Sequence, residues 1–356
     1  VTDAAPSLAD AAPSPRDDAS RPAVSIVLAT YNRPAVLAFA IRSVLAQDVA
    51  DWELIVVGDR CSEATGALVD SFADPRIRYV NLALNYGEQS GPNNVGIARA
   101  RGRTIAFLNH DDCWFPDHLR ASMDWLQATG ADGVIARAAT VAPSSPSGDE
   151  GYAWCTFLTG EGRRGRYDPA HTNAPISTVL LKSSVARAVG AWRPASDVHG
   201  SSSQQWLFRI WRRGFDIRTM PHLTVLQFAS GLRTGSYLAA DAPEHAFFEP
   251  QFARPLDLRM LLLDRRWAPS RPLWRRLAKS IALVGLRAAA HLGRAPSELI
   301  PRLLLGYRRG TFINKLRGVR GLSPMPDHEP SAAALRDRYA AEQAAQRTPS
   351  QPPPSS

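Results

Sequence analysis

The sequence predicts an α/β fold: a Rossmann-like, mostly parallel sheet flanked by helices, followed by a basic helical extension at the C-terminus. Three observations lead there. Short, nearly continuous apolar runs recur at residues 24–29 (VSIVLA), 52–57 (WELIVV) and 104–108 (TIAFL), as expected of strands covered on both faces. Segments of helical length lie between or after them, at 34–47, 63–72, 91–100 and 116–128, which is the strand–helix alternation of a parallel sheet. Between Arg265 and Arg320, finally, 14 Lys/Arg stand against the single acid Glu298. The net charge of +9 therefore belongs to one segment, and the remainder of the chain is slightly acidic.

Residues 77–82 and 133–137 supply two further strands. Asn32 reads as an N-cap, with Pro34 in the first turn of the helix behind it. Residues 150–230 mix a Gly/Arg-rich loop at 160–167 with a strand-like 176–182. A short helix capped by Ser183 follows, then a longer helix from about Ser203 to Arg213 that Gly214 stops. Residues 1–22 and 325–356 are rich in Ala, Pro and Ser and are expected to be a disordered arm and tail.

The 356 residues, 45% of them hydrophobic, suffice for one large core with an appended element or for two domains. A charged fraction of 21% excludes global disorder. Cys61, Cys113 and Cys155 are odd in number and lack CxxC spacing, which argues against a disulfide framework or zinc site and fits a reducing compartment. No run of about 18 apolar residues is present, and the best candidate, 281–292, is interrupted by Arg287. The first residues contain no apolar secretory run either. The expected location is cytoplasmic, peripheral to the inner face of the plasma membrane.

Ligands of open α/β sheets bind beyond the carboxyl ends of the strands. Here those ends read Thr30-Tyr31-Asn32-Arg33-Pro34, Gly58-Asp59-Arg60 and Asn109-His110-Asp111-Asp112. Asp59 can accept a hydrogen bond from a base or ribose. Adjacent carboxylates at Asp111 and Asp112 need a counter-charge, which Mg²⁺ or Mn²⁺ supplies through hard oxygen ligands. Taken singly, each Asp also fits a turn or cap; taken together they favour a site.

Residues 24–34 (VSIVLATYNRP), 52–59 (WELIVVGD), 94–102 (NVGIARARG) and 107–116 (FLNHDDCWFP), in that order and spacing, resemble family 2 glycosyltransferases of the GT-A fold over roughly residues 23–230. The resemblance implies a nucleotide-sugar-binding half at 23–140, an acceptor-binding half at 141–254, and an appended basic helical extension at 255–324. It also implies a nucleotide-sugar donor, expected to be a UDP-sugar, and inverting transfer to a hydroxyl of a glycan or lipid-linked acceptor. Thr30, Tyr31, Asn32, Arg33, Asp59, Asn94, Asn109 and Asp111 are the implied nucleotide contacts. Asp111 and Asp112 are the implied ligands of Mn²⁺ or Mg²⁺. Asn109 stands where the family's DxD-type motif has its first Asp.

In that family a carboxylate base opens the helix that ends in an Arg-Gly turn. Counting back from Gly214, its place falls on Ser202 and Ser203, followed by Gln204 and Gln205. No acid is there. Asp197 from a shifted loop and His199, which titrates near neutrality, are candidate catalytic residues. Gln205 can orient a hydroxyl without taking its proton. The third reading is a catalytically impaired sugar-nucleotide-binding protein, acting as a partner in polysaccharide assembly. Arg163, Arg164 and Arg166 read as a solvated basic loop or a lid on phosphate. Trp154, Trp192 and Trp206 read as core residues or a sugar-stacking face. Leu273, Leu277, Ile281, Val284 and Ala288 recur at helical spacing opposite Arg275, Arg276, Lys279 and Arg287, and residues 307–322 repeat the mixture. These segments either pack on the domain or lie on an anionic membrane surface, the expected partner. No nucleic-acid reader motif accompanies the charge, so nucleic acid is not expected.

Overall fold

The computed structural model describes residues 21–143, 154–229, 234–238, 242–264 and 273–325. The predicted arm and tail fall almost wholly outside the described residues. Four strands, β1 (Val24–Thr30), β2 (Trp52–Gly58), β3 (Ile77–Asn81) and β4 (Thr104–Asn109), form the parallel half of the sheet in the order β3-β2-β1-β4. The connecting helices are α1 (Pro34–Leu45), α2 (Glu63–Ser71) and α3 (Ser90–Arg99). The sheet continues through β5 (Asp112–Trp114), α4 (His118–Thr129), β6 (Gly133–Pro143), β7 (Trp154–Thr159), β8 (Val179–Lys182), α5 (Ser183–Val189), α6 (Ser202–Arg212) and β9 (Ile217–Phe228). This second half runs β8-β6-β9-β5, with β7 on β6. Antiparallel pairs join here, β8 to both β4 and β6 and β5 to β9, while β9 stays parallel to β6.

Successive side chains of a strand point to opposite faces, and β1 divides accordingly. Val24, Ile26 and Leu28 pack against Leu37 and Ile41 of α1 and Leu119 and Leu126 of α4. Val27 turns the other way, to Phe107, Val185, Trp206 and Ile210. Each such side chain, fully buried, contributes about 1.5–3 kcal/mol, which is why the runs read as continuously apolar. On the Val27 face α3 lies unusually close. A Cβ on Gly96 would meet Val27 Cγ1 at 2.2 Å, so only glycine permits this approach.

Local departures from the sequence reading have local causes. Asn32 is not the N-cap. It adopts φ +37°, a conformation Asn tolerates, and its Oδ1 accepts the Ser62 N–H at 2.7 Å, leaving Arg33 before the helix. The predicted strand at 176–182 opens as a 3₁₀ turn, Ile176–Thr178, and pairs only from Val179. Ser183 is the first helical residue, not a cap; its hydroxyl donates to Gly102 O at 2.5 Å. Gly214 does stop α6, at φ +84°.

The C-terminal part forms α7 (Pro243–Phe248), α8 (Pro255–Asp264), α9 (Leu273–His291), α10 (Pro296–Leu304) and α11 (Thr311–Arg320). It folds back onto the sheet domain. Arg287 Nε of α9 donates to Asp168 Oδ2 at 2.7 Å. Glu298 Oε2 of α10 lies 2.9 Å from both the backbone nitrogen and Nδ1 of His199. Arg317 Nη1 of α11 donates to Gly87 O at 2.5 Å. The side chains of residues 273–279, including Arg275, Arg276 and Lys279, lie outside the described residues. Among the described residues no helix is long and apolar enough to cross a membrane.

At the amino ends of the strands, Glu53 is almost fully buried. Its carboxylate accepts the Ser25 hydroxyl at 2.6 Å, the Arg101 backbone N–H at 2.8 Å and Arg78 Nη2 at 2.7 Å. Burial alone would raise its pKa, but these bonds and the Arg101 side chain outweigh burial and hold it below the ordinary value. A depressed folded-state pKa means stability that is present above the unfolded pKa, about 4.3, and lost as pH falls through the folded one. Glu53→Gln is therefore expected to lower Tm at pH 7 by about 3–6 °C, from charge-assisted bonds of about 1.5–3 kcal/mol. The difference between the thermal melts of the two proteins should shrink as pH falls below about 4.3.

Candidate functional site

The strand order reverses at β1: the chain builds outward through β2 and β3, then returns to place β4 on the other side. At such a reversal the loops leave in opposite directions and open a crevice beyond the carboxyl ends. A cavity of ≈ 270 Å³ lies there. Thr30 and Tyr31 at the end of β1, Asp59 after β2 and Asn109, His110 and Asp111 at the end of β4 all line it. Asp59 and Asp111, distant in sequence, thus share one cavity.

The turn after β1 is only partly turned inward. Thr30 is 3% exposed, and its hydroxyl has no hydrogen-bond partner among the described residues. A buried, unsatisfied polar atom on a cavity wall costs about 1–3 kcal/mol until a ligand meets it. Asn32, predicted to touch nucleotide, faces Ser62 instead, and neither it nor Arg33 lines the cavity. The Arg33 guanidinium lies 4.9 Å from the centre of the Tyr237 ring. Asp59 accepts the backbone N–H groups of Tyr86 at 2.7 Å and Gly87 at 2.9 Å, fixing the turn that enters α3. Asn94 is a correction. Its Oδ1 accepts the Trp192 N–H at 2.8 Å and its Nδ2 donates to Trp192 O at 3.1 Å, so it ties α3 to the loop before α6, away from the cavity.

The two aspartates after β4 have different environments. Asp111 lines the cavity, and its backbone oxygen accepts from His245 Nε2 at 3.0 Å. Asp112 is 1% exposed and belongs to β5. Its Oδ2 lies 2.5 Å from Ser177 Oγ and 3.0 Å from Asn109 Nδ2, and its Oδ1 accepts the Phe228 N–H at 3.3 Å. Burial first, then the neighbouring Asp111, push the Asp112 carboxyl up to about 8 against these bonds. The expected metal-binding pair therefore reduces to Asp111, because Asp112 does not line the cavity and its oxygens are engaged. Among the described residues no group of three or more His, Cys, Asp or Glu is arranged to hold a metal ion. One carboxylate completed by substrate phosphates and water is nevertheless how Mg²⁺ is commonly held, and Asp111 fits that role. Burial lowers the pKa of His110 to about 4, with Asp111 opposing and Arg33 and Arg320 assisting. The imidazole is neutral and pairs with Tyr237 Oη at 3.1 Å.

None of the candidate bases reaches the cavity. Asp197 is exposed in a 3₁₀ turn. His199 is paired with Glu298. Gln205 is buried, and its Oε1 accepts Arg209 Nε at 3.2 Å. What lines the wall instead is Gly200-Ser201-Ser202 at the start of α6. The position counted back from Gly214 is thus at the site, but it carries hydroxyls. Ser202 Oγ is buried without a partner among the described residues. The arginine loop is elsewhere: Arg163, Arg164 and Arg166 do not line the cavity, and Arg166 pairs with Asp216 at 2.9 Å. Trp192 and Trp206 are core residues; the side chain of Trp154 lies outside the described residues.

The contribution that sequence reasoning missed comes from α11. Phe312, Ile313, Leu316, Arg317 and Arg320 close the cavity from above, together with Tyr237. Their spacing puts them on one helix face, so the signal was a helix whose apolar stripe also carries arginines.

Residues 25–187 match the family described as glycosyl transferase family 2. The chain is 44% identical over 110 residues to the succinoglycan biosynthesis protein ExoO of Rhizobium meliloti, covering 31% of each chain. It is 36% identical over 103 residues to the Escherichia coli UDP-Glc:alpha-D-GlcNAc-diphosphoundecaprenol beta-1,3-glucosyltransferase WfgD, covering 29% of this chain and 40% of that protein. The matched regions thus span about a third of the length of these curated relatives. Among solved structures, S. aureus TarS residues 1–349 in complex with UDP-GlcNAc superposes with a TM-score of 0.51 at 14% identity, over 78% of this chain and 74% of that one, a likeness of fold. The order of β1 to β4, the strand-end cavity and these likenesses agree, and residues 25–187 are a domain of glycosyl transferase family 2 with the GT-A fold.

Proposed function

We propose that the cavity binds a nucleotide sugar, a UDP-sugar, and that the chain transfers the sugar with inversion to a hydroxyl of a glycan or lipid-linked acceptor. The observation that carries this reading is the convergence of Thr30, Asp59 and Asp111 from three strand ends on one cavity. Thr30 and Tyr31, with the turn that Asp59 fixes, hold the nucleoside. Asp111 stands at the phosphates, where a divalent cation, Mn²⁺ or Mg²⁺, would neutralise the leaving diphosphate. The name of WfgD states a UDP-glucose donor and a diphosphoundecaprenol-linked acceptor, which supports the same classes here.

A second reading, a sugar-nucleotide binder with impaired catalysis, is favoured by the hydroxyls at the expected base position. Ser202 can hold an acceptor hydroxyl but does not take its proton at neutral pH. General-base assistance is worth about 10²–10⁴ in rate, so the two readings separate by turnover rather than by binding. A panel of UDP-, GDP- and dTDP-sugars with Mn²⁺, assayed for released nucleoside diphosphate, decides between them.

The anionic membrane surface is retained as a partner. Leu292, Leu303 and Leu304 are 83%, 69% and 77% exposed on the C-terminal helices, in the segment that carries the excess of arginine. Apolar and basic groups exposed together suit an interfacial helix.

These readings make four separate predictions. Asp111→Ala should abolish metal-dependent UDP binding in calorimetry. Asp112→Ala should cost about 1–3 kcal/mol of stability by stranding Ser177 and the Phe228 N–H, with little loss of metal dependence. Ser202→Asp, but not Ser203→Asp, should raise turnover about 100-fold if a base is what the site lacks; equal rates for both variants would count against that position. Co-sedimentation with phosphatidylglycerol vesicles should exceed that with phosphatidylcholine, and Leu303→Glu with Leu304→Glu should remove the difference.

A further inference from the structure

Resting on the nucleotide-sugar reading, we propose that α11 completes the donor site and that Arg320 on it, supported by Arg33, is a diphosphate-binding residue of this chain. Both lie outside any DxD-type motif, and α11 lies beyond the residues that match the family. The wall that α11 provides is anchored where the nucleoside is expected. Arg317 Nη1 donates to Gly87 O, and the N–H of that same Gly87 donates to Asp59. Three residues on, in the same last turn of the helix, Arg320 faces the side where the phosphates are expected. Arg320 lies 5.4 Å from the Tyr237 ring centre, Arg33 lies 4.9 Å from it, and the Tyr237 hydroxyl meets His110, next to Asp111.

Two guanidinium groups therefore converge on a single aromatic ring beside a cavity. The Asp111 carboxylate lines the cavity there, and Asp112 is turned into the core. Arg33 Nε and Nη1 are buried and have no hydrogen-bond partner among the described residues. Arg317 and Arg320 line the same cavity as Asp59, Glu88 and Asp111, and the buried Arg33 guanidinium near them favours an anion close by. Arginine's fork also matches phosphate oxygens in geometry. A diphosphate that enters beside Thr30 and Asp111 meets Arg320 from above. The same chemistry could arrive on a nucleotide donor or on a lipid-linked acceptor. The shared cavity with Thr30 and Asp59 commits the site to the donor.

The test is calorimetry on the full chain with uridine, UDP and farnesyl diphosphate, using wild type, Arg320→Ala and Arg320→Lys, with GDP and guanosine as a second pair. Hydrogen bonds to a charged group lead to an expected loss of at least about tenfold in UDP affinity for Arg320→Ala. Uridine affinity should be unchanged, Tm should be unchanged within a degree or two, and Arg320→Lys should fall in between. Equal loss for uridine and UDP would make α11 a mere wall and overturn the assignment, as would no loss for either. Farnesyl diphosphate binding that depends on Arg320 while UDP binding does not would overturn the donor commitment. If wild type binds neither nucleoside nor nucleoside diphosphate, the nucleotide-sugar reading itself fails, an outcome distinct from all of these.

Discussion

The cavity exists because β1, β2 and β4 hydrogen-bond side by side in parallel and finish level with one another. Thr30 pairs with Gly58 and Ala29 with Asn109, so the next residue on each strand leaves the sheet at the same height. In a parallel pair the register is held by the apolar pattern, since a slip of one residue would exchange the two faces of the strand. With Val24, Ile26 and Leu28 committed to one layer and Val27 to the other, such a slip would exchange side chains between two filled layers and mispack both. The core thereby sets the position of the polar turns, and the turns need no strong interaction with one another to converge.

That arrangement explains why much of the strand-end side of the cavity could be read directly. Continuous apolar runs mark β1, β2 and β4, and the polar residue that ends each run marks the crevice. Asp59 and Asp111 were legible by that rule alone. Asp112 was not, because residues adjacent on a strand face opposite ways and nothing in the sequence tells which of two neighbouring aspartates turns inward. Asn94 was misread for a related reason. A buried amide can serve a ligand or a backbone, and Trp192, which it binds, is nearly a hundred residues away. The Asn32 cap and the beginning of the strand at 176 failed on backbone conformation, which side-chain periodicity does not report.

The part of the cavity wall at residues 200–202 was the least legible. Its residues come from loops and from the start of α6, where no periodic pattern constrains the chain. Counting back from Gly214 led to a residue, Ser202, that lines the cavity and carries a hydroxyl. Asp197 and His199 are near in sequence but are turned to solvent and to Glu298. The basic extension had been weighed between packing and membrane. Part of it packs, with α11 closing the cavity, while Leu292, Leu303 and Leu304 are exposed elsewhere on the extension.

A site assembled from three strand ends and a distant helix should hold its ligand at one defined place. The most direct measurement is a crystal structure of the chain soaked with UDP and Mn²⁺. The account places the uracil and ribose against Thr30 and the Asp59 turn, with the diphosphate beside Asp111 under α11. Nucleotide density elsewhere on the molecule, with this cavity left to solvent, would contradict it.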